Sequence, residues 1–331
     1  MQPLKTVSQS PKLALPPYGY VNATYTWDAD TRRVPDSFAV NGRPATPLEW
    51  RKFAEELVDE LADFLWPRFD QPSQTWRGLA EPLAMALTVA DLDLLKEKLL
   101  PKLFEPVGST DPKKTVTHKS LFQDEDETKP GLPYPTLDFY LPKVPVETLT
   151  ALKDAIKKSV LGFGPAPLRF KELFQRPRPY QAAFMLNRLF SFELARSSMT
   201  PSMLSGHSLT GLLGRCAGYM TSRLRHQLED VGGAVAELQH YSVDIGDRRV
   251  FAGVHYPSDN IGSWFVALRL CDHMFGEAGE VAKGFMRKAI GKSEVFIAMT
   301  AAIEADKASP FALPMERLDA EMKRPAKRTE S

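Results

Sequence analysis

Hydrophobic residues recur with a helical period over much of the chain. The clearest example starts at Thr46, which is followed by Pro47 and Glu49 in the arrangement of a capping box. Apolar side chains then recur at steps of three and four residues until Pro67, as they do on one face of a helix. The pattern predicts a helix whose buried face is Trp50, Phe53, Ala54, Leu57, Val58, Leu61, Phe64 and Leu65.

Helical patterns of the same kind follow along the rest of the chain. Between them we find no alternating strand pattern of useful length, and the sequence contains no internal repeat. The sequence therefore predicts an all-α fold, a helical bundle. We expect its further helices at about 79–104, 146–161, 180–197, 206–229, 233–245, 257–275, 277–290 and 293–307.

Two long regions lack this periodicity. Residues 1–45 contain many prolines, polar residues and aromatics, and predict an extended arm packed over the core. Residues 105–145 are a long Pro-rich loop that contains an acidic run at 124–127. A loop of this length is usually functional or mobile. We expect the acidic run to be solvated surface, and a metal or partner site is the alternative.

The C-terminal residues complete the predicted domain organisation. From Pro310 onward the chain predicts a loose basic tail, with Lys323, Arg324, Lys327 and Arg328. The prediction is then an arm at 1–45, a single helical domain at 46–309 with its catalytic core at about 146–275, and a tail at 310–331.

Charge and composition narrow the class of partner. The chain has 42 Lys and Arg against 41 Asp and Glu, a net charge of +1, so it offers no field that would attract nucleic acid or an anionic membrane. We find no signal-peptide core and no run of 18 apolar residues, which predicts a cytoplasmic protein with no integral membrane segment. Cys216 and Cys271 lie in apolar helical patterns and predict buried thiols. A small-molecule partner is expected.

The spacing His-x3-Asp occurs three times and is not informative by itself. His226 and His240 fall in polar-faced helical segments, where such pairs are ordinary surface neighbours. His255 differs because Arg249 stands six residues before it and Pro257 predicts a helix that begins just after it. The carboxylate of Asp259 would hold one imidazole nitrogen and direct the other outward.

Two further stretches contain groups of similar type. Ser205, Gly206 and His207 begin an amphipathic helix, whose first N–H groups are able to hold phosphate oxygens, although Ser-Gly-His is also a common helix cap. Lys171 and Arg178 stand seven residues apart in KELFQRPRPY. Basic groups this close together are usually a solvated face, and the sequence predicts that Arg176, between them, belongs to one.

Together the three stretches resemble the signature of the type-2 phosphatidic acid phosphatase and vanadium haloperoxidase superfamily. The signature reads K-x6-R-P, then P-S-G-H, then S-R-x5-H-x3-D, and its blocks occur here in the same order between about 171 and 260. Two positions depart from it. Leu204 replaces the Pro before Ser-Gly-His. Arg248 replaces the Ser before Arg249, and we expect the Arg248 side chain to point either into the pocket or outward. Neither change removes a group that the chemistry needs.

The resemblance implies a fold and a set of roles for these residues. It implies a helical bundle of the acid phosphatase and haloperoxidase type, acting as a metal-independent phosphatase on a small-molecule phosphate ester. His255 would attack phosphorus to form a phosphohistidine, Asp259 would orient it, and His207 would be the general acid and base. The phosphate would be bound by Lys171, Arg178, Ser205, Gly206 and Arg249.

The resemblance leaves two other functions open. A vanadium-dependent haloperoxidase would hold vanadate at His255 in the same cationic cradle, whereas the phosphatase needs no cofactor. The third hypothesis is a module that binds phosphate or a lipid phosphate without catalysis. It is the weakest of the three, because the sequence retains both histidines. Soluble members of the family often form dimers, and the sequence leaves a homodimer open. No His-x3-His pair or Cys cluster suggests zinc.

Overall fold

A computed structural model gives the structure of the protein. It describes residues 33–70, 72–107, 116–127, 136–163, 166–193, 195, 198 and 200–326. The described part is mainly α-helical, which confirms the all-α prediction. Its strands form two short antiparallel hairpins, β1 (Ala39–Val40) with β2 (Arg43–Pro44) and β3 (Arg68–Asp70) with β4 (Thr75–Arg77). The predicted arm lies outside the described residues up to position 32.

A helix lies in each range where the periodicity predicts one, and the described residues contain further helices between and after these ranges. The first half contains α1 (Pro47–Ala62), α2 (Glu81–Leu94), α3 (His118–Glu127) and α4 (Leu137–Tyr140). Between α2 and α3 the chain passes through a π-helical turn at Leu95–Leu99 and a 3₁₀ turn at Leu100–Phe104. The second half contains α5 (Val146–Phe163), α6 (Ala166–Phe174), α7 (Pro179–Met185), α8 (Gly206–Met220), α9 (Ser222–Glu229), α10 (Ala234–Phe251), α11 (Pro257–Met274), α12 (Gly279–Ile290), α13 (Glu294–Ala305) and α14 (Ala312–Lys323).

Helix α8 lies at the centre and packs against α5, α10 and α11. Glycines make the close packing possible, because a Cβ on Gly214 would lie 2.9 Å from Val160 of α5 and one on Gly211 would lie 2.8 Å from the Ser242 carbonyl of α10. On the facing side, a Cβ on Gly246 of α10 would collide with the hydroxyl of Ser208. This packing fixes the start of α8 relative to the end of α10, where the site lies.

The helices predicted at 180–197 and 206–229 end earlier in the structure. The helix expected at 180–197 stops at Met185, because Asn187 has a left-handed backbone (φ 54°) and the N–H of Arg188 donates to the Ala183 carbonyl at 2.8 Å, as in a Schellman cap. The helix expected at 206–229 is divided at Thr221, whose backbone is extended. Periodicity does not predict either of these ends, because the polar side chains of Asn187 and Thr221 also fit a helix that continues.

Three predictions about surface segments are wrong for the described residues. The Pro-rich loop at 105–145 contains α3 and α4. The acidic run is not simply solvated, because Glu125 is buried. The C-terminal segment is not a loose tail up to residue 326, since α14 buries Met315 and Leu318 against α11. Apolar residues on one face of α14 account for its docking, and Lys327 and Arg328 lie outside the described residues. The division into domains stays a prediction.

Candidate active site

His255 lies in the short connection between α10 and α11 and is buried. Pro257 begins α11, and Asp259 in its first turn accepts the backbone N–H of Tyr256 at 3.0 Å. The same Asp259 oxygen, Oδ2, lies 3.1 Å from Nδ1 of His255. The predicted His-x3-Asp contact is therefore present, and the helix cap that starts α11 also places the carboxylate behind the imidazole.

The second nitrogen of His255 faces a cation. Nε2 lies 2.9 Å from Nη1 of Arg178, and a guanidinium only donates, so Nε2 accepts and Nδ1 carries the proton that is donated to Asp259. Burial, and then the charge of Arg178, hold the pKa of His255 well below its usual value. His255 is thus a neutral imidazole with its lone pair on Nε2, the form that a nucleophile requires.

Asp259 is held in its ionised form by several donors. Burial alone would raise its pKa, but Arg176 and the hydrogen bond from His255 hold the pKa below its ordinary value. Nη1 of Arg176 lies 2.8 Å from Oδ1, and the hydroxyl of Ser202 donates to Oδ2 at 2.7 Å. The carboxylate is therefore fixed in position on both of its oxygens.

Arg178 and Lys171 hold the loop that precedes α8. Arg178, the residue before α7, donates from Nε to the Thr200 carbonyl at 2.8 Å and from Nη1 to the Val254 carbonyl at 2.6 Å. Lys171 of α6 donates to the carbonyls of Pro201 and Ser202, the latter at 3.3 Å. Burial and the nearby Arg178 hold the pKa of Lys171 well below its usual value. Both predicted cations thus lie in the site.

His207, in the first turn of α8, pairs with Arg249 near the end of α10. Nη2 of Arg249 lies 2.6 Å from Nε2 of His207, which again accepts. Burial, and then Arg249, His255, Lys171 and Arg178, hold the pKa of His207 well below its usual value. These electrostatic effects show that one site contains both histidines and all three predicted cations. Arg249 also lies over the ring of Phe122, 4.5 Å from its centre.

Ser205 and Gly206 form the N-terminus of α8. The hydroxyl oxygen of Ser205 accepts the backbone N–H of Ser208 at 3.2 Å and the Ser208 hydroxyl at 2.8 Å. The helix begins at Gly206 with a normal serine cap, so Leu204 in place of proline leaves its entry intact. The phosphate-binding roles of Ser205 and Gly206 stay predictions.

The interpretation of Arg176 as part of a solvated face is wrong. Its side chain is completely buried and forms ion pairs with Asp259 at 2.8 Å and with Asp91 at 2.9 Å. Periodicity missed both Arg176 and Asp91, because each is a charged residue at a buried position. One sequence signal pointed to an unusual environment for Arg176. In RPRP two arginines alternate with prolines, which interrupt a helix, so neither arginine can be assigned to the exposed face of a helix.

Arg248, the residue in the place of the signature serine, points neither into the site nor outward. It is buried beside Asp244 and Glu125, and also donates to the hydroxyl of Tyr140 at 2.8 Å. Asp244 is therefore not the surface partner of His240 that the His-x3-Asp spacing indicated. Glu125 and Tyr140 come from α3 and α4, so Arg248 attaches the predicted Pro-rich loop to α10.

The fold and the site together define an all-α protein with a buried site of two neutral histidines and three cations. Residues 158–275 match the family model of the PAP2 superfamily, and this segment contains every predicted site residue. This segment is thus similar to the PAP2 superfamily, as the three motifs indicate, and the family supports a phosphatase-type activity broadly. No curated protein and no solved structure matches the chain.

None of the described helices has the length and apolar character needed to span a membrane. The described residues also contain no group of three or more His, Cys, Asp or Glu side chains placed to hold a metal ion. The predicted cytoplasmic location, the homodimer and the absence of a cofactor stay predictions.

Proposed function

We propose that the protein is a phosphoric monoester hydrolase that works through a phosphohistidine at His255. The observation that supports this most is the pairing of His255 with Asp259 on one side and Arg178 on the other. It supplies a neutral imidazole whose Nε2 lone pair faces a cation, which is where the phosphoryl group would bind.

Binding of the phosphoryl group replaces contacts that the side chains now make with one another. Arg178 gives up Nε2 of His255 and binds phosphate oxygens, and Arg249 does the same at His207. An arginine binds two oxygens at once, whereas Lys171 acts as a point charge. With Ser205 and the N–H of Gly206, these cations surround the equatorial oxygens, over which negative charge spreads in the transition state.

The reaction has two steps. In the first, Nε2 of His255 attacks phosphorus, the P–N bond forms, and the bond from phosphorus to the ester oxygen breaks while His207 donates a proton to that oxygen. Asp259 stabilises the positive charge that His255 acquires. In the second, His207 accepts a proton from water, the water oxygen bonds to phosphorus and the P–N bond breaks. Inorganic phosphate and the alcohol are the products.

The first step requires a protonated His207, and the free site disfavours this form. Burial, the three neighbouring cations and His255 lower the pKa of His207. A phosphate dianion brings negative charge into the same buried space, where electrostatic effects are strong, and raises that pKa. The substrate therefore supplies the field that allows His207 to take up the proton it later donates.

Hydrolysis of p-nitrophenyl phosphate in the presence of a chelator tests the proposal. We expect turnover that vanadate inhibits, because vanadate occupies the phosphoryl site, and a panel of nucleotides, sugar phosphates and lipid phosphates then identifies the natural ester. Bromination of a phenol dye by peroxide, dependent on vanadate and without hydrolysis, would assign the haloperoxidase activity instead. Tight phosphate binding without turnover of any ester would leave only a binding module.

A further inference from the structure

Arg176 and Asp91 lie directly behind the Asp259–His255 pair. The guanidinium of Arg176 lies over two aromatic rings, 3.9 Å from the centre of Tyr256 and 5.0 Å from that of Trp66. One of its nitrogens lies 2.8 Å from Asp259 Oδ1 and the other 2.9 Å from Asp91 Oδ2. The contacts thus run in sequence from the nucleophile into the core: His255 contacts Asp259, Asp259 contacts Arg176, and Arg176 contacts Asp91.

Asp91 is fixed as firmly as Arg176. It belongs to α2, outside the segment that matches the family, and is completely buried. Its Oδ1 accepts the backbone N–H of Ser258 at 3.1 Å, and its Oδ2 accepts the Ser258 hydroxyl. Nη1 of Arg176 also donates to that hydroxyl at 2.9 Å. The N-terminal half therefore contributes a carboxylate to the first turn of α11, next to Asp259.

We propose that Asp91 and Arg176 are positioning residues that set how strongly Asp259 holds the proton on Nδ1 of His255. The catalytic consequence rests on the proposed function, but the effect on the imidazole does not. Arg176 competes with His255 for the charge of the Asp259 carboxylate. Asp91 in turn takes up part of the charge of Arg176. In a dry interior such competition is strong, because water does not screen it.

The two residues therefore act on His255 in opposite directions. Without the charge of Arg176, Asp259 attracts the Nδ1 proton more strongly and the imidazole becomes more basic. Without the charge of Asp91, Arg176 withdraws more charge from Asp259 and the imidazole becomes less basic. The other charged or titratable groups of the site are Lys171, Arg178, His207 and Arg249, and they stay the same in both variants.

The charge of Asp91 depends on the pH. Burial raises its pKa to about 6, although Arg176 and the hydrogen bond from Ser258 oppose the rise. At pH 7 Asp91 is then mainly ionised, and replacing it by the neutral, isosteric asparagine removes a charge. As the pH falls below 6, wild type gains a proton on Asp91 and approaches the charge state of Asp91→Asn.

The test is NMR of the Nδ1–H group of His255, with the protein labelled at histidine, at a pH well above 6, where Asp91 is ionised and the imidazole is neutral. A stronger hydrogen bond to Asp259 moves the Nδ1 proton signal to lower field, so Arg176→Gln is expected to move it to lower field and Asp91→Asn to higher field. Arg176→Lys keeps the charge and is expected to lie closest to wild type. Asp93→Asn on the same helix and Arg169→Gln, an arginine paired with Glu55 and Glu172, are matched controls with no expected shift.

A merely structural role would lower the stability of the variants without moving the Nδ1 proton signal of His255 in opposite directions. Shifts of the same sign, or none, would overturn the proposal. If Arg176→Gln does not fold, Arg176→Gln combined with Asp91→Asn removes both charges together, and its Nδ1 proton signal must then lie at lower field than that of Asp91→Asn alone. Absence of any phosphatase turnover in wild type would contradict the proposed function and leave this NMR result unaffected.

Discussion

The guanidinium of Arg248 binds both carboxylate oxygens of Glu125, 123 residues earlier in the chain, at 2.6 and 3.1 Å. Both side chains are completely buried. Because α10 also carries Arg249, this ion pair fixes α3 next to the site and places Phe122 of α3 under the Arg249 guanidinium. The substitution of Arg248 for the signature serine is therefore explained by a partner in a segment that has no motif.

Breaking this ion pair is expected to destabilise the protein strongly. In Glu125→Ala, Arg248 stays buried but loses one of its carboxylate partners. We expect the free energy of unfolding to fall by about 3–5 kcal/mol. Asp124→Ala, one residue away and exposed, is the matched control and is expected to change stability by less than about 0.5 kcal/mol. Urea unfolding measures both. Equal effects of the two substitutions would show that the pair contributes nothing specific.

Replacement of the two site histidines is expected to give different losses. His255→Ala removes the nucleophile and abolishes turnover. His207→Ala removes only the proton donor, so a trace of activity persists on p-nitrophenyl phosphate, whose leaving group needs little protonation, with a loss of about a hundredfold to ten-thousandfold on alkyl esters. His226→Ala, an exposed histidine, is the control with full activity. Wild-type rates in either site variant would contradict the assignment.

Ligand binding is expected to change the protonation of His207. In the free protein its lowered pKa keeps the ring neutral at neutral pH. Inorganic phosphate adds negative charge, so the folded-state pKa rises and the proton is retained to higher pH. Nitrogen NMR of the histidine-labelled protein at about pH 6.5, the ordinary pKa of a histidine, with and without phosphate, measures the change. A ring that stays neutral in both samples, with phosphate shown to be bound, would remove His207 as the general acid.

The contact of α8 with α10 is expected to tolerate no added methyl group. Gly246→Ala would force its Cβ into the Ser208 hydroxyl and is expected to destabilise the protein by about 1–3 kcal/mol. Gly284→Ala, also within a helix, meets only the end of the Arg287 side chain at 4.0 Å and is expected to stabilise by up to about 1 kcal/mol. Thermal unfolding measures both. A harmless Gly246→Ala would show that the two helices are not in close contact.

The fold class and the His255–Asp259 contact follow from the sequence because they rest on local signals. Helical periodicity identifies the buried face of α1, where Trp50, Leu57 and Leu61 are indeed buried. The His255–Asp259 contact rests on Pro257, which fixes the start of α11 and so places Asp259, in the first turn, next to the preceding histidine. Such information lies within a few adjacent residues and needs no knowledge of tertiary packing.

The buried charges do not follow from the sequence, because their partners are distant. Arg176, Arg248 and Glu125 are each of a residue type that is mostly exposed, and only the tertiary fold supplies the opposite charge that makes burial possible. The helix predicted at 233–245 is also longer in the structure, where α10 continues to Phe251 and buries Asp247 and the two arginines that follow it.

A covalent phosphoryl group on His255 is the central claim, and trapping it is the most direct test. Wild type is mixed with p-nitrophenyl phosphate, quenched within the first turnovers at alkaline pH and digested for mass spectrometry. We predict a phosphorylated histidine in the peptide that contains His255, in wild type and in the His226→Ala control alike, and its complete loss in His255→Ala. Rapid turnover with no phosphorylated peptide, or with the phosphoryl group on His207, would contradict the account.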